Sequence, residues 1–210
     1  TLLEQYSRPR ANGINAITIK DEDELLEAKL TTGNSQILLA VKSGKAIRFE
    51  EDKTRPMGRS ASGVRGITLN GPSDEVIGMV SVSDSETEIL VVSENGYGKR
   101  SSLDDYRTTN RGGKGVKTLS ITDKTGELVS IKNVSDLDDL MIINKSGIAI
   151  RMDVADLRVM GRATQGVKLI NLKGTDTIAA VAKVMKDDEE IPEVSEDDVP
   201  TSETDGTNLE

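Results

Sequence analysis

One interval governs this chain: a glycine leading into a short apolar run returns at Gly13, Gly63, Gly115 and Gly166, at spacings of 50, 52 and 51 residues. The surrounding segments are alike: "RPRANGINAITI" at 8–19, "MGRSASGVRGITL" at 57–69, "RTTNRGGKGVKT" at 107–118 and "MGRATQGVKLINL" at 160–172. A second glycine keeps the same period at Gly44, Gly96 and Gly147, each behind an apolar run: "QILLAV", "EILVV" and "LMII". An acidic-then-apolar start recurs as "DELLEAKL", "DEVIGMVSV", "GELVSIKNV" and "DTIAAVAKV". Self-similarity at about 50 residues marks a repeat architecture, in which no unit buries its own faces and neighbours must stack.

Within one period the apolar runs are short and rich in β-branched residues, and Gly, Asn, Ser and Asp separate them. That pattern predicts strands. "SGKAIRF", "NGYGKR" and "SGIAIRM" predict tight hairpins, with Ser-Gly and Asn-Gly at the left-handed turn positions. The expected fold is all-β: a propeller-like array of about four four-stranded antiparallel blades, each period supplying one blade. A β-solenoid fits less well, because its turns are shorter. The chain starts at Thr1, not Met, and holds three full periods and most of a fourth. Closed propellers use about four to eight blades, so residues 1–186 are expected to be the last blades of a longer ring.

Charge divides the chain differently. Residues 187–210 carry eleven acidic side chains, no Lys or Arg, and four residues from Ile, Val and Leu. So acidic and apolar-poor a segment is expected to be a disordered tail. Without it, 27 basic residues face 25 acidic ones, so the overall charge of −9 hides a slightly basic body.

Little chemistry is available for catalysis or metal binding. The chain has no Cys and no His, which removes the usual nucleophile–base pairs and the soft metal ligands. The acidic cluster at 21–24 lacks calcium-loop spacing. "RGGKGVKT" has neither the spacing nor the following helix of a nucleotide-phosphate loop. No catalytic residue, metal site or cofactor is expected within the chain. No apolar run is long enough to cross a bilayer, and the expected location is cytoplasmic.

The glycine-bearing loops before each first strand do carry positive charge. They hold Arg8 and Arg10; Arg55, Arg59 and Arg65; Arg107, Arg111, Lys114 and Lys117; and Arg158, Arg162 and Lys168. Equivalent loops of stacked blades share one face of the array, so repetition would merge them into one curved basic track. Hairpin residues Lys42, Lys45, Arg48, Lys99, Arg100, Lys145 and Arg151 would extend it. Glycines allow backbone amides close to a phosphate. Three Tyr, one Phe and no Trp leave few platforms for base stacking, which favours a duplex backbone over single strands.

"TRPMGRSASGVRGITL" at 54–69, "NGYGKR" at 95–100 and "VMGRATQGVKLINL" at 159–172 closely resemble the C-terminal domain family of the DNA gyrase A protein. The resemblance covers nearly all of 1–186 and extends to the acidic tail. It implies a six-bladed pinwheel that bends and wraps duplex DNA on its basic rim, without chemistry of its own. The implied parent is an ATP-dependent type II topoisomerase that introduces negative supercoils, built from two A and two B subunits. Nucleotide (ATP) and Mg²⁺ would act in other regions, and the DNA-cleaving tyrosine would lie elsewhere, so Tyr6, Tyr97 and Tyr106 are not candidates. The family's hallmark heptapeptide resembles Q-R-R-G-G-K-G. Arg111, Gly112, Gly113, Lys114 and Gly115 match its last five positions, whereas Thr109 and Asn110 depart from the first two. This copy falls in the third repeat, not the first blade, so it is box-like rather than the box. Two alternatives stand: the equivalent domain of the topoisomerase IV A protein, and a protein-interaction propeller that never meets DNA.

Overall fold

A computed structural model of the chain describes residues 1–83 and 88–186. The expectation of a disordered tail at 187–210 lies outside the described residues. Eleven strands run β1 (Gln36–Val41), β2 (Lys45–Glu50), β3 (Val76–Val82), β4 (Glu88–Ser93), β5 (Tyr97–Ser102), β6 (Val116–Lys117), β7 (Leu128–Val134), β8 (Asp138–Asn144), β9 (Ala149–Asp153), β10 (Val167–Lys168) and β11 (Ile178–Met185). The remaining elements among the described residues are short 3-10 turns, and no helix there is long and apolar enough to span a membrane.

The hairpins β1–β2, β4–β5 and β8–β9 fall on the predicted apolar runs. Gly44, Gly96 and Gly147 close them at φ of 80°, 79° and 87°. Their amides donate to the carbonyls of Val41, Ser93 and Asn144 at 2.9, 3.0 and 3.1 Å. Only the glycine of each Ser-Gly or Asn-Gly pair is left-handed, which corrects the expectation. The connection is a three-residue loop whose glycine forms the bulge, a geometry that leaves Ser43, Asn95 and Ser146 unstrained.

Blades are assembled across periods, where each period was expected to supply one blade. The strand orders are β3-β1-β2-β6, β10-β5-β4-β7 and β11-β8-β9. A hairpin thus gains one neighbour from the strand that follows it and another from a loop one hairpin further on. β6 pairs back onto β2, with Lys45 opposite Lys117 and Ala46 opposite Val116. β10 repeats this on β5, with Gly98 opposite Val167. Gly115 and Gly166 permit the crossing: a Cβ on either would lie 2.5 Å from the carbonyl oxygen of Ala46 or Gly98. Their φ values of 69° and 79° also exclude most side chains.

Strand alternation then splits the core between adjacent sheets. On β4, Ile89 and Val91 join Leu38, Ala40, Val80 and Ile131 against the first sheet. Leu90 and Val92 face the other way, onto Leu140, Ile142 and Val154. All four β4 side chains are fully buried, and each aliphatic side chain so placed contributes about 1.5–3 kcal/mol by leaving water. A third cluster covers the outer face of the first sheet with Ile37, Val41, Ile47, Phe49 and Ile67.

Residues 1–35 hold no strand, only a 3-10 turn at Leu3–Tyr6, so three sheets stand where four blades were expected. The physical reason is pairing. By the period, 25–30 and 64–69 correspond to β3 and β6, yet among the described residues neither segment pairs with a hairpin. Ile17, Ile19, Leu25, Leu26 and Leu30 remain exposed as a result.

Candidate nucleic-acid interface

The four glycine-centred loops lie side by side in one row, joined by the same backbone bond each time. The amide five residues after one repeat glycine donates to the carbonyl two residues before the next: Thr18 to Ala61 (3.2 Å), Thr68 to Gly113 (2.8 Å) and Ser120 to Thr164 (3.1 Å). The Thr18 and Thr68 hydroxyls add bonds to the Ser60 and Gly112 carbonyls, both at 2.7 Å. Each loop is also held to the sheet beneath: Thr118 donates to the Gly44 carbonyl and Leu169 to that of Gly96, both at 2.8 Å. The loops therefore form a continuous edge, as their common period implies.

Two positions on this edge present basic side chains in every loop from the second onward. Arg55, Arg107 and Arg158 stand eight residues before the repeat glycine, and Arg65, Lys117 and Lys168 stand two after it. All six are exposed. Arg8, Arg10 and Lys114 are exposed as well. Among the described residues, none of these nine side chains makes a hydrogen bond or ion pair. The Lys45–Lys117 register pair puts two ammonium-bearing chains directly opposite on neighbouring strands. Like charges so placed repel, which leaves the pair ready for an anion.

Most of the other predicted cations are already engaged, whereas Lys45 and Lys145 make no side-chain bond among the described residues. Arg59, Arg111 and Arg162 recur four residues before the glycine and are half-buried. Their Nη1 atoms donate to the carbonyls of Asn15, Arg65 and Lys117 at 2.9, 3.0 and 2.8 Å. Arg111 Nε also reaches the Lys53 carbonyl and Arg162 Nε the Asp105 carbonyl, each at 2.9 Å. The offset is legible in the sequence; what the pattern conceals is that these guanidinium groups turn toward backbone.

Arg48, Lys99 and Arg100 require correction as surface contacts. Arg48 donates to the Gln36 side chain at 2.7 Å and to the Leu103 and Tyr106 carbonyls at 2.8 and 3.0 Å, linking the first sheet to the turn after β5. Arg100, buried, holds Glu88 at 2.8 Å and also bonds Asp136 and the Leu157 carbonyl. Lys99 is fully buried where the first sheet has Ile47, and its Nζ donates to the Gly161 carbonyl at 2.6 Å and Thr164 Oγ1 at 3.1 Å. Burial pushes its ammonium down to about 8, against a raising influence from Asp105. Arg151 stays exposed but pairs with Asp139 at 2.6 Å. A buried cation must find acceptors, and second-strand positions face neighbouring carbonyls instead of solvent. Tyr106 and Thr118, joined by their hydroxyls in the interior, carry no charge that would have marked them in the sequence.

The box-like stretch divides accordingly. Arg111 is fastened, Gly112 donates its amide to the Gly66 carbonyl, Gly113 packs over Ile47, Lys114 is free, and Gly115 makes the crossing. Paired glycines thus serve close packing between loops.

A family model described as DNA gyrase C-terminal domain, beta-propeller, matches residues 1–32, 36–83, 87–135 and 138–185. The chain belongs to that family. The matched segments follow the 51-residue period, and the later three begin at or beside β1, β4 and β8. Among relatives, the DNA gyrase A protein of Staphylococcus aureus (strain NCTC 8325 / PS 47) is 46% identical over 206 residues, which is 98% of this chain and 23% of that protein. The chain therefore spans about a quarter of the length of such relatives. Among solved structures, a DNA gyrase A C-terminal domain superposes with a TM-score of 0.75 at 26% identity, covering 83% of this chain and 59% of that one. The C-terminal domain of DNA topoisomerase IV superposes with a TM-score of 0.82 at 22% identity, over 87% and 57%; that likeness concerns the fold. The gyrase C-terminal domain family thus accounts for the repeat, the sheets and the all-β, propeller-like architecture of the chain.

Proposed function

We propose that this gyrase-family domain binds duplex DNA along its loop edge and wraps it, as a non-catalytic part of a gyrase A protein. One observation carries the reading: Arg55, Arg107 and Arg158 together with Arg65, Lys117 and Lys168 present unpaired cations at two fixed offsets on successive loops. A curved series of cations at a constant step suits the phosphate backbone and carries no base code, so recognition is largely independent of sequence. Neutralising one face of a duplex also favours its bending toward that face. Lys45, Lys114 and the Arg8–Arg10 segment extend the contact.

The relatives' gyrase name supports reading the parent assembly as a bacterial, cytoplasmic heterotetramer of two A and two B subunits that performs ATP-dependent negative supercoiling, with nucleotide and Mg²⁺ bound outside this domain. Gyrase is favoured over topoisomerase IV because relatives at 46% identity carry the gyrase name, and among solved structures the gyrase domain is 26% identical against 22% for the topoisomerase IV domain. A pure protein scaffold would have no use for six unpaired cations in register.

The test is a titration of linear duplex across salt concentrations with the wild type and an R65Q/K117Q/K168Q variant. Wild-type affinity should fall steeply with salt, and the variant's log–log slope should shrink by about 0.9 for each phosphate no longer neutralised. Binding that ignores salt, or a gel with no shift at low salt, would favour the scaffold.

A further inference from the structure

The arginine four residues before each of the last three repeat glycines does a different job from the cations beside it. In three successive loops its Nη1 donates to one particular carbonyl of the preceding loop, at 2.8–3.0 Å. That carbonyl belongs to the residue two after the preceding repeat glycine: Asn15, Arg65 or Lys117. In the last two of these loops it is therefore the backbone of an exposed cation. In the same two copies Nε reaches a second carbonyl, of Lys53 or Asp105. Each guanidinium spans two backbone segments that are distant in sequence. The planar fork of Arg holds both acceptors at once, which the single ammonium of Lys does not reproduce.

We infer that Arg59, Arg111 and Arg162 are positioning residues that fix the step between neighbouring DNA-contacting loops, and are not themselves phosphate contacts. The inference rests on the DNA-wrapping reading for its consequence, but the staple is independent of it. Each arginine ties its own loop to the backbone of the loop ahead of it, and Arg111 and Arg162 tie theirs to the backbone of an exposed cation. The distance between successive cations, and hence the curvature imposed on a duplex, is then set by interloop bonds rather than by flexible side chains. The amide bridges from Thr68 to Gly113 and from Ser120 to Thr164 lie on the same seams. The box-like Arg111, counted in the sequence among the cations of the track, becomes the fastener of Arg65.

Two double variants of the full 210-residue chain separate the possibilities. R111M/R162M removes both charges and keeps most of the apolar stem; R111K/R162K keeps the charges and breaks the fork. The probe is an end-labelled linear duplex whose energy transfer reports bending, and K117Q/K168Q serves as the phosphate-contact control. A staple predicts that R111M/R162M keeps the wild-type salt slope while the control loses about 2 units of it. It also predicts that R111K/R162K binds within a few-fold of wild type yet bends the duplex less at saturation. Hydrogen exchange without DNA should show the Thr68 and Ser120 amides opening about tenfold faster in both arginine variants, the loss expected when bonds to a charged donor go. A slope reduced in R111M/R162M as much as in the control, or full bending by R111K/R162K, overturns the assignment. Unchanged exchange in both variants overturns the staple itself. If the wild type fails to bind any duplex at low salt, the wrapping reading fails, and the exchange measurement still decides whether the arginines fasten the loops.

Discussion

Arg162 Nη1 donates to the Lys117 carbonyl at 2.8 Å, so the backbone beneath one exposed lysine is held by the side chain of the next loop. That single bond joins two repeats through a group that the sequence offers as surface charge. Its neighbours lead to further expected outcomes.

Gly115→Ala should destabilise the domain by more than about 2 kcal/mol, since it combines a left-handed φ with a clash on backbone. A Cβ there would lie 2.5 Å from the Ala46 carbonyl oxygen. Gly63→Ala is the control: its φ of 85° is similar but nothing lies within 4 Å of the added atom. It should cost about 1–2 kcal/mol. Thermal melts read the difference as a shift of about 2–4 °C per kcal/mol in a chain of this size; equal losses would mean that the β6 crossing is not tight.

Lys99 makes stability rise with pH. Burial sets its folded value at about 8, against an ordinary 10.5. Between those values the unfolded chain holds more protons than the folded one, so ΔG of unfolding grows as pH rises through that window. Below about 8 the folded state bears the full cost of the buried charge. Lys99→Ile, which copies Ile47 of the first sheet, should flatten this rise, and denaturant unfolding at several pH values measures it. A variant whose pH profile stays parallel to wild type would remove Lys99 as the source.

Asp74 acts in the opposite sense. Burial opposes its charge, but amide donation from Asn70 and Ser43 with the Ser43 hydroxyl prevails and holds the carboxyl below its usual value. Its folded state binds fewer protons, so its stabilisation is complete above the ordinary carboxylate range and fades as pH falls through the lowered value. Asp74→Asn should lose about 1–3 kcal/mol at neutral pH and gain resistance to acid relative to wild type. Identical acid midpoints would contradict this.

Deleting residues 187–210 removes eleven carboxylates and no cation. If those charges compete with phosphate for the loop edge, the shortened chain should bind duplex more tightly at low salt, with the gain fading as screening shortens the range. An affinity that is flat or lower after deletion would show that the tail does not compete.

The period, the hairpins and the row of loops are legible in the sequence, because recurring glycines and apolar runs report local geometry directly. Strand exchange is not. Val116–Lys117 and Val167–Lys168 are too short to alternate, and nothing in a two-residue strand names its partner. Charge is also ambiguous: Arg107 and Arg111 look alike in the sequence, yet one is exposed and the other spends its fork on carbonyls. Lys99 deceives for the same reason, since a residue type known for surfaces here replaces an isoleucine beneath a loop. The unpartnered positions at 25–30 and 64–69 follow from the exchange, so they become visible only once pairing is known.

That exchange has a genetic corollary. The stretch copied along the sequence is not the stretch that forms a sheet, because the first two hairpins each take one neighbour from the strand after them and one from a loop beyond the next hairpin. A tandem duplication of one period would bring a new hairpin together with a new donor strand for the sheet behind it. The array would lengthen by a whole unit with no blank edge in its interior, whichever residue the recombination breakpoint happened to strike.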